Sequence, residues 1–301
     1  MLHTKTTANE RRRQFRSGLA SGQLLRLPGA FNALSAVLIE QMGFEGVYLS
    51  GAVMSASLVL PDIGLTTLSE ITSRGQEITR ITALPTLIDA DTGFGEPLNV
   101  ARTIQSLEDA GLSGCHIEDQ INPKRCGHLE GKSIVSTNEM VRRIAAAADA
   151  RRDADFVICA RSDARAIEGL DATIERAKAY VDAGADMLFP EALTDVREFE
   201  KFRAAFDLPV MANMTEFGRS ELLDTKTLHA IGINLVIYPV TLLRIAMGAA
   251  ERALATIARE GTQGSLIGEM QTRDRLYELL DYERYTEFDQ SILERGGESD
   301  G

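Results

Sequence analysis

The feature that most constrains the fold of this chain is a repeated order of segments. A short apolar run is followed by a polar or glycine-rich segment and then by an amphipathic helical pattern. Strands that alternate with helices in this way favour parallel pairing through right-handed crossovers. About eight such units occur in a row, which is the number that closes a (β/α)8 barrel. The apolar runs are 23–30, 46–51, 85–91, 114–119, 156–163, 186–191, 208–215 and 234–240.

Amphipathic helical patterns lie between these runs, and most of them end at a glycine that can stop a helix. They are 31–43, 99–111, 170–184 and, without the glycine, 195–206. An open doubly wound sheet is the alternative arrangement. The chain contains no GxGxxG or P-loop sequence that would support a nucleotide-binding version of that sheet. The sequence therefore predicts an α/β protein with a (β/α)8 TIM-type barrel.

The length of 301 residues fits one barrel domain with additional helices. The segments 241–260 and 269–285 carry more helix than one barrel unit needs. We expect a single domain over 1–301, with a C-terminal helical extension from about residue 241 that packs on a neighbouring subunit or caps the barrel. The last residues, 295–301, have the composition of a short disordered tail.

Charge and cysteine content limit the partners and the compartment. The net charge of −12 argues against nucleic acids and membranes as main partners, because both need basic surfaces on the protein. No apolar run approaches the ~20 residues of a membrane span. Three cysteines are too few, and odd in number, for a disulfide framework, which favours the cytoplasm. The basic cluster at 10–16 lacks a following apolar segment, so we expect a solvated helix rather than a secretory signal, with an Arg-rich organellar presequence as the minor alternative.

Polar residues collect at the C-terminal ends of the predicted strands, where barrel enzymes build their active sites. Residues i and i+2 of a strand point to the same face. Four such pairs could therefore point together into the barrel mouth. They are Asp89 with Asp91, His116 with Glu118, Arg161 with Asp163, and Asn213 with Thr215.

The two aspartates of one strand, Asp89 and Asp91, repel each other unless positive charge lies between them. A hard divalent cation such as Mg²⁺ fits such a pair. Glu118 and Asp62 lie on other strand-end segments and favour the same interpretation. The alternative is that one aspartate caps the next helix while the other is solvated.

Arg161 has two interpretations, since a strand-end arginine can bind a substrate carboxylate with both arms or pair with Asp163 or Glu191. Arg244 has the same two interpretations, a substrate carboxylate or an ion pair within the protein. The hydroxyl of Ser50 and the following backbone N–H groups could bind an anionic group, although Ser-Gly is also common in turns.

The segment KRCGHLEGK, 124–132, lacks apolar periodicity and is interpreted as an exposed basic loop. Flanking cations lower the pKa of a thiol and prepare it for proton exchange or nucleophilic attack. A zinc site is the alternative, but the spacing is not that of a usual zinc finger and two of its members would lie in a strand. We therefore favour a thiol that either transfers a proton or acts as a nucleophile over an incidental surface thiol. The four residues of the zinc alternative are Cys115, His116, Cys126 and His128.

The KRCGH motif, with IDADTGFG and HIEDQ before it and MLFPE and ANMTEFG after it, closely resembles the isocitrate lyase/phosphoenolpyruvate mutase superfamily over roughly 15–285. The resemblance implies a barrel whose last helix is swapped between subunits of a homotetramer, with Mg²⁺, or Mn²⁺ as a substitute, as cofactor. Three features favour members that cleave 2-methylisocitrate, in the methylcitrate cycle of propionate catabolism, over those that cleave isocitrate. They are the short chain, KRC in place of KKC, and Phe189 in place of a tryptophan.

Matched residue by residue, the resemblance assigns the metal to Asp89 and Asp91, with Glu118 and Asp62 acting partly through water. Ser50, Gly51 and Ala52 would hold the keto-acid end of a small tricarboxylate substrate, although relatives often have SGGG where this chain has SGAV. Cys126 and Gly127 would contact the succinate end. The remaining substrate-binding residues would be Arg161, Glu191, Asn213, Met214, Thr215, Arg244 and Arg273.

The implied reaction splits a carbon–carbon bond to give pyruvate and succinate. Cys126 would be the general acid that protonates the carbanion, because a thiol starts protonated and releases its proton readily. Lys124, Arg125 and His128 would stabilise the thiolate and the substrate. Tyr48, Asp62 and a metal-bound water are candidates for the base. The alternatives are isocitrate cleavage, another superfamily reaction, or a non-catalytic carboxylate-binding protein.

Overall fold

The computed structural model describes residues 4–125, 127 and 131–297, with side chains up to residue 294. Each of the eight apolar runs contains one β-strand, so the predicted strand units are confirmed. The strands are β1 Leu25–Pro28, β2 Val47–Leu49, β3 Thr86–Asp89, β4 Gly114–Glu118, β5 Val157–Ser162, β6 Met187–Pro190, β7 Met211–Asn213 and β8 Leu235–Tyr238.

All strand pairs are parallel, and together they close on themselves. The strands pair in the orders β2-β3-β4-β5-β6 and β1-β8-β7. Two parallel bridges join the edges of these sheets, Gly29 with Tyr48 and Leu188 with Val210. The predicted (β/α)8 barrel is therefore confirmed, and its strands present their C-terminal ends at one common mouth.

Helices alternate with the strands as predicted. Many of them begin at a side-chain cap: in α4, Thr67 accepts the N–H of Glu70, whose carboxylate accepts the N–H of Thr67 at 2.7 Å. The helices of the barrel unit are α1 Ala8–Ala20, α2 Ala33–Gln41, α3 Gly51–Ser57, α4 Leu68–Thr79, α5 Pro97–Asp109, α6 Thr137–Ala150, α7 Arg165–Glu168, α8 Leu170–Asp182, α9 Val196–Arg203 and α10 Thr225–Ile231.

The barrel interior is apolar over most of its depth. Side chains at alternate strand positions form one buried cluster with Phe15 and Leu19 of α1. The α1 helix therefore covers the N-terminal end of the barrel. The strand residues of this cluster are Leu25, Leu27, Tyr48, Leu87, Val157, Cys159, Met187, Phe189, Met211, Leu235 and Ile237.

The basic N-terminal helix forms, but the expectation that it is solvated is wrong for its central turn. Arg12 is only 5% exposed. Its guanidinium donates to the carbonyl oxygens of Leu112 and Glu108 and pairs with Asp153 at 2.9 Å. A buried guanidinium with carbonyl and carboxylate partners does not carry the cost of an unpaired charge.

A second compact unit runs from Arg244 onward. Its helices are α11 Thr241–Glu260, which begins in the barrel unit, a 3₁₀ helix Gly264–Glu269, α12 Arg273–Leu279 and α13 Tyr282–Gly297. The helical segment predicted at 269–285 is interrupted, because Asp281 has a left-handed φ of 56°. The single-domain assignment and the helix swap stay predictions. Of the predicted tail 295–301, residues 295–297 continue α13 and 298–301 lie outside the described residues. Within the described chain, none of the helices has both the length and the apolar character to cross a bilayer.

Candidate active site

The same inward strand face that is apolar deeper in the barrel becomes charged at the mouth. Asp89 follows Leu87 on β3, and Arg161 follows Cys159 on β5. Strand β4 begins at Gly114, and the side chains of His116 and Glu118 lie at its next two inward positions. Both are fully buried. The predicted i, i+2 pairs therefore meet at one place for three of the strands.

Arg161 lies at the centre of the mouth. Its Nε is 3.0 Å from Asp163 Oδ2, its Nη1 is 3.2 Å from Glu118 Oε2, and its Nη2 is 3.3 Å from Glu191 Oε2. Burial alone would lower the pKa of Arg161, but these carboxylates hold the pKa well above its usual value. The guanidinium also lies 5.2 Å from the ring centre of Phe189. Arg161 is a fixed buried cation.

Lys124 is a second buried cation, and the expectation of an exposed loop is wrong at this residue, which is 2% exposed. Its Nζ lies 2.5 Å from Asp62 Oδ1 and 2.8 Å from Asp91 Oδ1. Burial would lower the pKa of Lys124, but the surrounding carboxylates raise it well above its usual value. Asp62 itself is not at a strand end as expected, because α3 follows β2 directly and Asp62 lies in the loop after α3.

Asp89 is held by its surroundings. Its Oδ1 accepts the N–H of Asp91 at 3.0 Å, and its Oδ2 accepts the N–H of Gly51 at 3.2 Å. A Cβ at position 51 would lie 2.7 Å from Asp89 Oδ2, so a larger residue there would displace this carboxylate. Ser50 is the N-terminal residue flanking α3 and makes no side-chain cap, and Ala52 follows Gly51 in this helix. The predicted keto-acid segment thus lies against the metal candidate Asp89.

A tyrosine–histidine pair lies beneath this aspartate. The Tyr48 hydroxyl is 2.8 Å from His116 Nε2, and His116 Nδ1 is 3.6 Å from Asp89 Oδ1. Burial raises the pKa of Tyr48 well above 10 and lowers the pKa of His116 to about 4. Both groups are therefore neutral near pH 7.

The carboxylates of the mouth differ in their ionisation. Burial raises the pKa of Glu118 well above its usual value, and burial together with Asp89 raises the pKa of Asp91 to about 6. Burial would raise the pKa of Asp89, but the nearby His116, Lys124 and Arg161 outweigh it and lower the pKa of Asp89 to about 2. Neighbouring acids on one strand with separated pKa values are typical of functional sites.

The donor set fits a hydrated divalent cation. Six carboxylates, from Asp62, Asp89, Asp91, Glu118, Asp163 and Glu191, face the cations of Lys124, Lys132 and Arg161. Within the described part of the chain, Glu118 Oε1 is buried and accepts no hydrogen bond. No three His, Cys, Asp or Glu side chains among the described residues are arranged to bind a metal directly. Mg²⁺ suits this arrangement, since it is usually held by one or two carboxylates and keeps several waters.

Gly127 lies against the mouth. A Cβ at this position would collide with Glu191 Cγ and Arg161 Nη2. Lys132 Nζ donates to the carbonyl oxygen of Gly127 at 2.5 Å and to Asp163 Oδ1 at 2.8 Å. Cys126 and His128 lie outside the described residues.

Sequence reasoning missed Lys132. The only signal for it was its place as the last cation of the KRCGHLEGK segment. Its partner Asp163 lies 31 residues further along the chain, so no local pattern reveals the contact.

The remaining predicted residues are Asn213, Met214 and Thr215 at the end of β7, and Arg244 and Arg273 further along the chain. Asn213 Nδ2 lies 3.4 Å from both oxygens of Glu191, and Thr215 is 8% exposed. Met214 belongs to the apolar cluster between strands and helices, and its sulfur accepts the N–H of Leu223. A substrate contact of Met214 stays a prediction. So do the assignments of Arg244 and Arg273, which lie in α11 and α12 of the C-terminal unit.

Comparisons with known proteins agree with this geometry. Residues 15–258 match the phosphoenolpyruvate phosphomutase family. The chain is 60% identical to "Probable 2-methylisocitrate lyase 2" of Corynebacterium glutamicum, over 99% of this chain and 97% of that protein. Its fold matches the crystal structure of 2,3-dimethylmalate lyase, a PEP mutase/isocitrate lyase superfamily member, with a TM-score of 0.89, 32% identity and 96% of each chain covered.

A phosphonopyruvate hydrolase solved in complex with oxalate and Mg²⁺ matches with a TM-score of 0.86 and 30% identity, over 96% of this chain and 100% of that one. The family match spans all eight strands, and the matched relative and structures cover nearly the whole chain. The chain therefore belongs to the phosphoenolpyruvate phosphomutase family, within the PEP mutase/isocitrate lyase superfamily.

Proposed function

We propose that this chain is a carbon–carbon lyase that cleaves 2-methylisocitrate into pyruvate and succinate, in the methylcitrate cycle of propionate catabolism. The observation that carries the proposal is the buried Arg161 among Glu118, Asp163 and Glu191, beside an excess of carboxylates. Such a site suits a tricarboxylate together with a divalent cation. The relative from Corynebacterium glutamicum, at 60% identity, bears the name of this activity.

Asp89 and Asp91 would hold Mg²⁺, or Mn²⁺ in its place, with Glu118 and Asp62 acting through water. When bound, the cation supplies a Lewis acid that stabilises negative charge on a substrate oxygen. The orphan Glu118 Oε1 supports this assignment. The Mg²⁺ in the phosphonopyruvate hydrolase structure, at 30% identity, supports it further.

Arg161 binds a substrate carboxylate through its guanidinium, which the three carboxylates around it hold in one orientation. A preorganised cation of this kind stabilises the negative charge that develops as the bond breaks. Asn213, Glu191 and Thr215 complete the binding site around the substrate end that Arg161 binds. Ser50, Gly51 and Ala52 bind the keto-acid end next to Asp89.

The proton that leaves the tertiary hydroxyl needs a base. Tyr48 is poorly suited, because burial raises its pKa well above 10 and its hydroxyl faces His116. Asp62 is the better candidate of these two, since its carboxylate keeps 18% exposure and contacts Lys124. Lys124 holds the anionic substrate in place.

The carbanion that remains needs an acid, and we assign this role to the thiol of Cys126. Gly127, the next residue in the chain, lies against Arg161 and Glu191, which supports delivery of the thiol to this end of the substrate. Arg125 and His128 stabilise the resulting thiolate.

We further propose a homotetramer of helix-swapped dimers acting in the cytoplasm. Several apolar side chains of the C-terminal unit are exposed, among them Leu254 at 67%, Phe288 at 47% and Leu293 at 69%. Exposed apolar surface of this kind is typical of a subunit interface. Cys115 and Cys159 are free thiols, which fits a reducing compartment.

The test is kcat/KM for 2-methylisocitrate and isocitrate, measured side by side with Mg²⁺ and with a chelator. We expect a preference for the methylated substrate and loss of turnover on chelation. One methyl group is worth ~1–3 kcal/mol in a pocket, so isocitrate should be a slow substrate. If neither compound is cleaved, the proposed function is wrong.

A further inference from the structure

A buried carboxylate outside the barrel interior connects the ends of β4 and β5. Asp119 directly follows Glu118, so the two side chains point to opposite faces of the sheet. The Oδ1 atom of Asp119 accepts the backbone N–H of Asp163 at 2.8 Å, and its Oδ2 accepts the hydroxyl of Ser162 at 2.7 Å. Asp119 is fully buried. It thus binds the end of β5 through both carboxylate oxygens.

Helix α8 holds this carboxylate from the outside. The Tyr180 hydroxyl donates to Asp119 Oδ2 at 2.9 Å, and Arg176 Nη1 lies 3.9 Å from the same oxygen. Arg176 is itself fixed, because its Nε and Nη2 donate to the Glu168 carboxylate at 2.7 and 2.8 Å. The Asp119 carboxylate therefore has one defined position between α8 and β5.

The residue that Asp119 fixes is in contact with the centre of the active site. The Asp163 carboxylate accepts from Arg161 Nε at 3.0 Å and from Lys132 Nζ at 2.8 Å. A shift in the backbone of Asp163 would therefore move the acceptor that orients the Arg161 guanidinium. The Asp119 carboxylate itself contacts the β5 end and α8 rather than that guanidinium.

We propose that Asp119 is a positioning residue, which holds Asp163 in place and through it sets the orientation of Arg161. The proposal rests on the proposed lyase function for its kinetic readout. A displacement of about 1 Å in a catalytic group can cost ~100-fold in rate. Asp119 thus links a helix on the outside of the barrel to the chemistry at its mouth.

The chain offers a matched control at the opposite end of the same strand. Asp186 Oδ2 accepts the backbone N–H of Ile158 at 2.9 Å and pairs with Arg151 at 2.5 Å. Asp186 therefore also accepts a backbone N–H of β5, at the N-terminal end of the barrel, and it is held from outside the strand by Arg151 and by Arg16 at 2.9 Å. A structural role alone predicts the same outcome for both residues.

The experiment compares Asp119→Ala with Asp186→Ala at a temperature where both variants are folded. We expect kcat of Asp119→Ala to fall about 100-fold with little change in KM, and kcat of Asp186→Ala to stay near wild type. Asp119→Asn keeps an oxygen for the Asp163 N–H and should recover most of the lost rate. If Asp119→Ala does not fold, Tyr180→Phe is the second variant, with kcat about threefold lower because one donor to Asp119 is lost.

A double variant separates positioning from general loss of structure. In an Arg161→Lys background, Asp119→Ala should cost little further rate, because both changes remove the same oriented guanidinium. Fully additive losses, or equal kcat losses in Asp119→Ala and Asp186→Ala, would overturn the proposal. If Tyr180→Phe folds and Asp119→Ala does not, an unchanged kcat in Tyr180→Phe would also overturn the proposal.

The lyase function and the positioning role fail in distinguishable ways. If the wild-type protein does not cleave 2-methylisocitrate, the function is wrong, and hydrogen exchange at the Asp163 amide becomes the readout. Faster exchange in Asp119→Ala, without a change in Asp186→Ala, supports the positioning role. Equal exchange in the wild type and both variants contradicts it.

Discussion

Buried charged groups at the two ends of this barrel differ in how they are paired. At the N-terminal end, Phe15 and Leu19 cover the interior, and Arg12 is satisfied by two carbonyl oxygens and Asp153. At the C-terminal mouth, carboxylates outnumber cations and Glu118 keeps an oxygen without a donor from any described residue. The two ends therefore differ in that the Arg12 guanidinium has carbonyl and carboxylate partners, whereas Glu118 at the mouth keeps a buried oxygen with no hydrogen bond from the described residues. In barrel enzymes this division separates stability from chemistry.

The ionisation of the two ends shows the same difference. At the N-terminal end burial would raise the pKa of Asp153, but the hydrogen bond from Arg12 lowers it. At the mouth burial raises the pKa of Asp91 to about 6 in spite of the neighbouring Lys124. The N-terminal pair stabilises the charged carboxylate of Asp153. At the mouth the charged form of Asp91 is penalised, which favours a bound cation, while the charged form of Asp89 is stabilised.

The largest expected effect comes from Arg161 at the mouth. Arg161→Ala should lower kcat/KM by ~10³-fold or more, because an oriented donor to the developing charge is lost. It should also destabilise the fold by ~3–5 kcal/mol, since Glu118 and Glu191 are left buried without this cation and Asp163 keeps only Lys132. Steady-state kinetics and urea unfolding measure the two losses.

Arg161→Lys serves as the control for this prediction. It keeps a cation and should recover much of the stability, but it lacks the planar fork and should recover little activity. Near-normal turnover in Arg161→Lys would show that charge alone, rather than the three-way orientation of the guanidinium, supports the reaction.

A smaller effect, confined to stability, is expected at the opposite end. Arg12→Ala removes the hydrogen bonds to Leu112 and Glu108 and the pair with Asp153. The loss should be ~2–3 kcal/mol in the free energy of unfolding, with kcat unchanged where the variant is folded. A large fall in kcat of folded Arg12→Ala would show that the N-terminal end contributes to catalysis as well as to stability.

The amino-acid sequence predicted the strands and part of the mouth because both depend on local patterns. The eight apolar runs mark the strands, and the i, i+2 spacing places Asp89, His116 and Arg161 on inward faces. Parallel strands then bring these residues together at one end. No contact between distant residues is needed for this inference.

The features that sequence reasoning missed depend on distant partners. Arg12 can be buried because carbonyl groups about one hundred positions away accept its hydrogen bonds. Lys124 can be buried because it pairs with Asp62, which lies 62 positions away in the chain. Asp119 faces away from its neighbour Glu118, toward α8, and nothing in HIEDQ reveals that helix as its partner. Such contacts follow from the closed barrel rather than from any local pattern.

The pH dependence of stability should have opposite sign at the two ends when no metal is bound. The folded-state pKa of Asp91, about 6, lies above its ordinary 3.8, so its protonated form adds stability that is lost as pH rises through about 6. The lowered pKa of Asp153 adds stability that is lost as pH falls below its ordinary 3.8.

Thermal unfolding at pH 5 and pH 7 checks this prediction. Mg²⁺ should stabilise the protein more at pH 7 than at pH 5, by a difference on the order of 1–3 kcal/mol, because the cation replaces the proton at Asp91. Asp91→Asn should remove the difference, and Asp153→Asn should leave it intact. An equal Mg²⁺ effect at both pH values in the wild type would show that Asp91 does not control the site.

The smallest expected effect comes from one added methyl group at each end. In Gly51→Ala the new Cβ would lie 2.7 Å from Asp89 Oδ2, so the carboxylate must move and the N–H contact weakens. In Gly18→Ala, on α1, the new Cβ would lie 3.1 Å from the methyl groups of Leu25, which can shift by rotation. We expect about a tenfold lower kcat/KM for Gly51→Ala and normal kinetics for Gly18→Ala. If Gly51→Ala alone needs more Mg²⁺ for activity, the effect lies at Asp89. Equal kinetics in the two variants would show that the mouth tolerates a shifted side chain as well as the N-terminal end does.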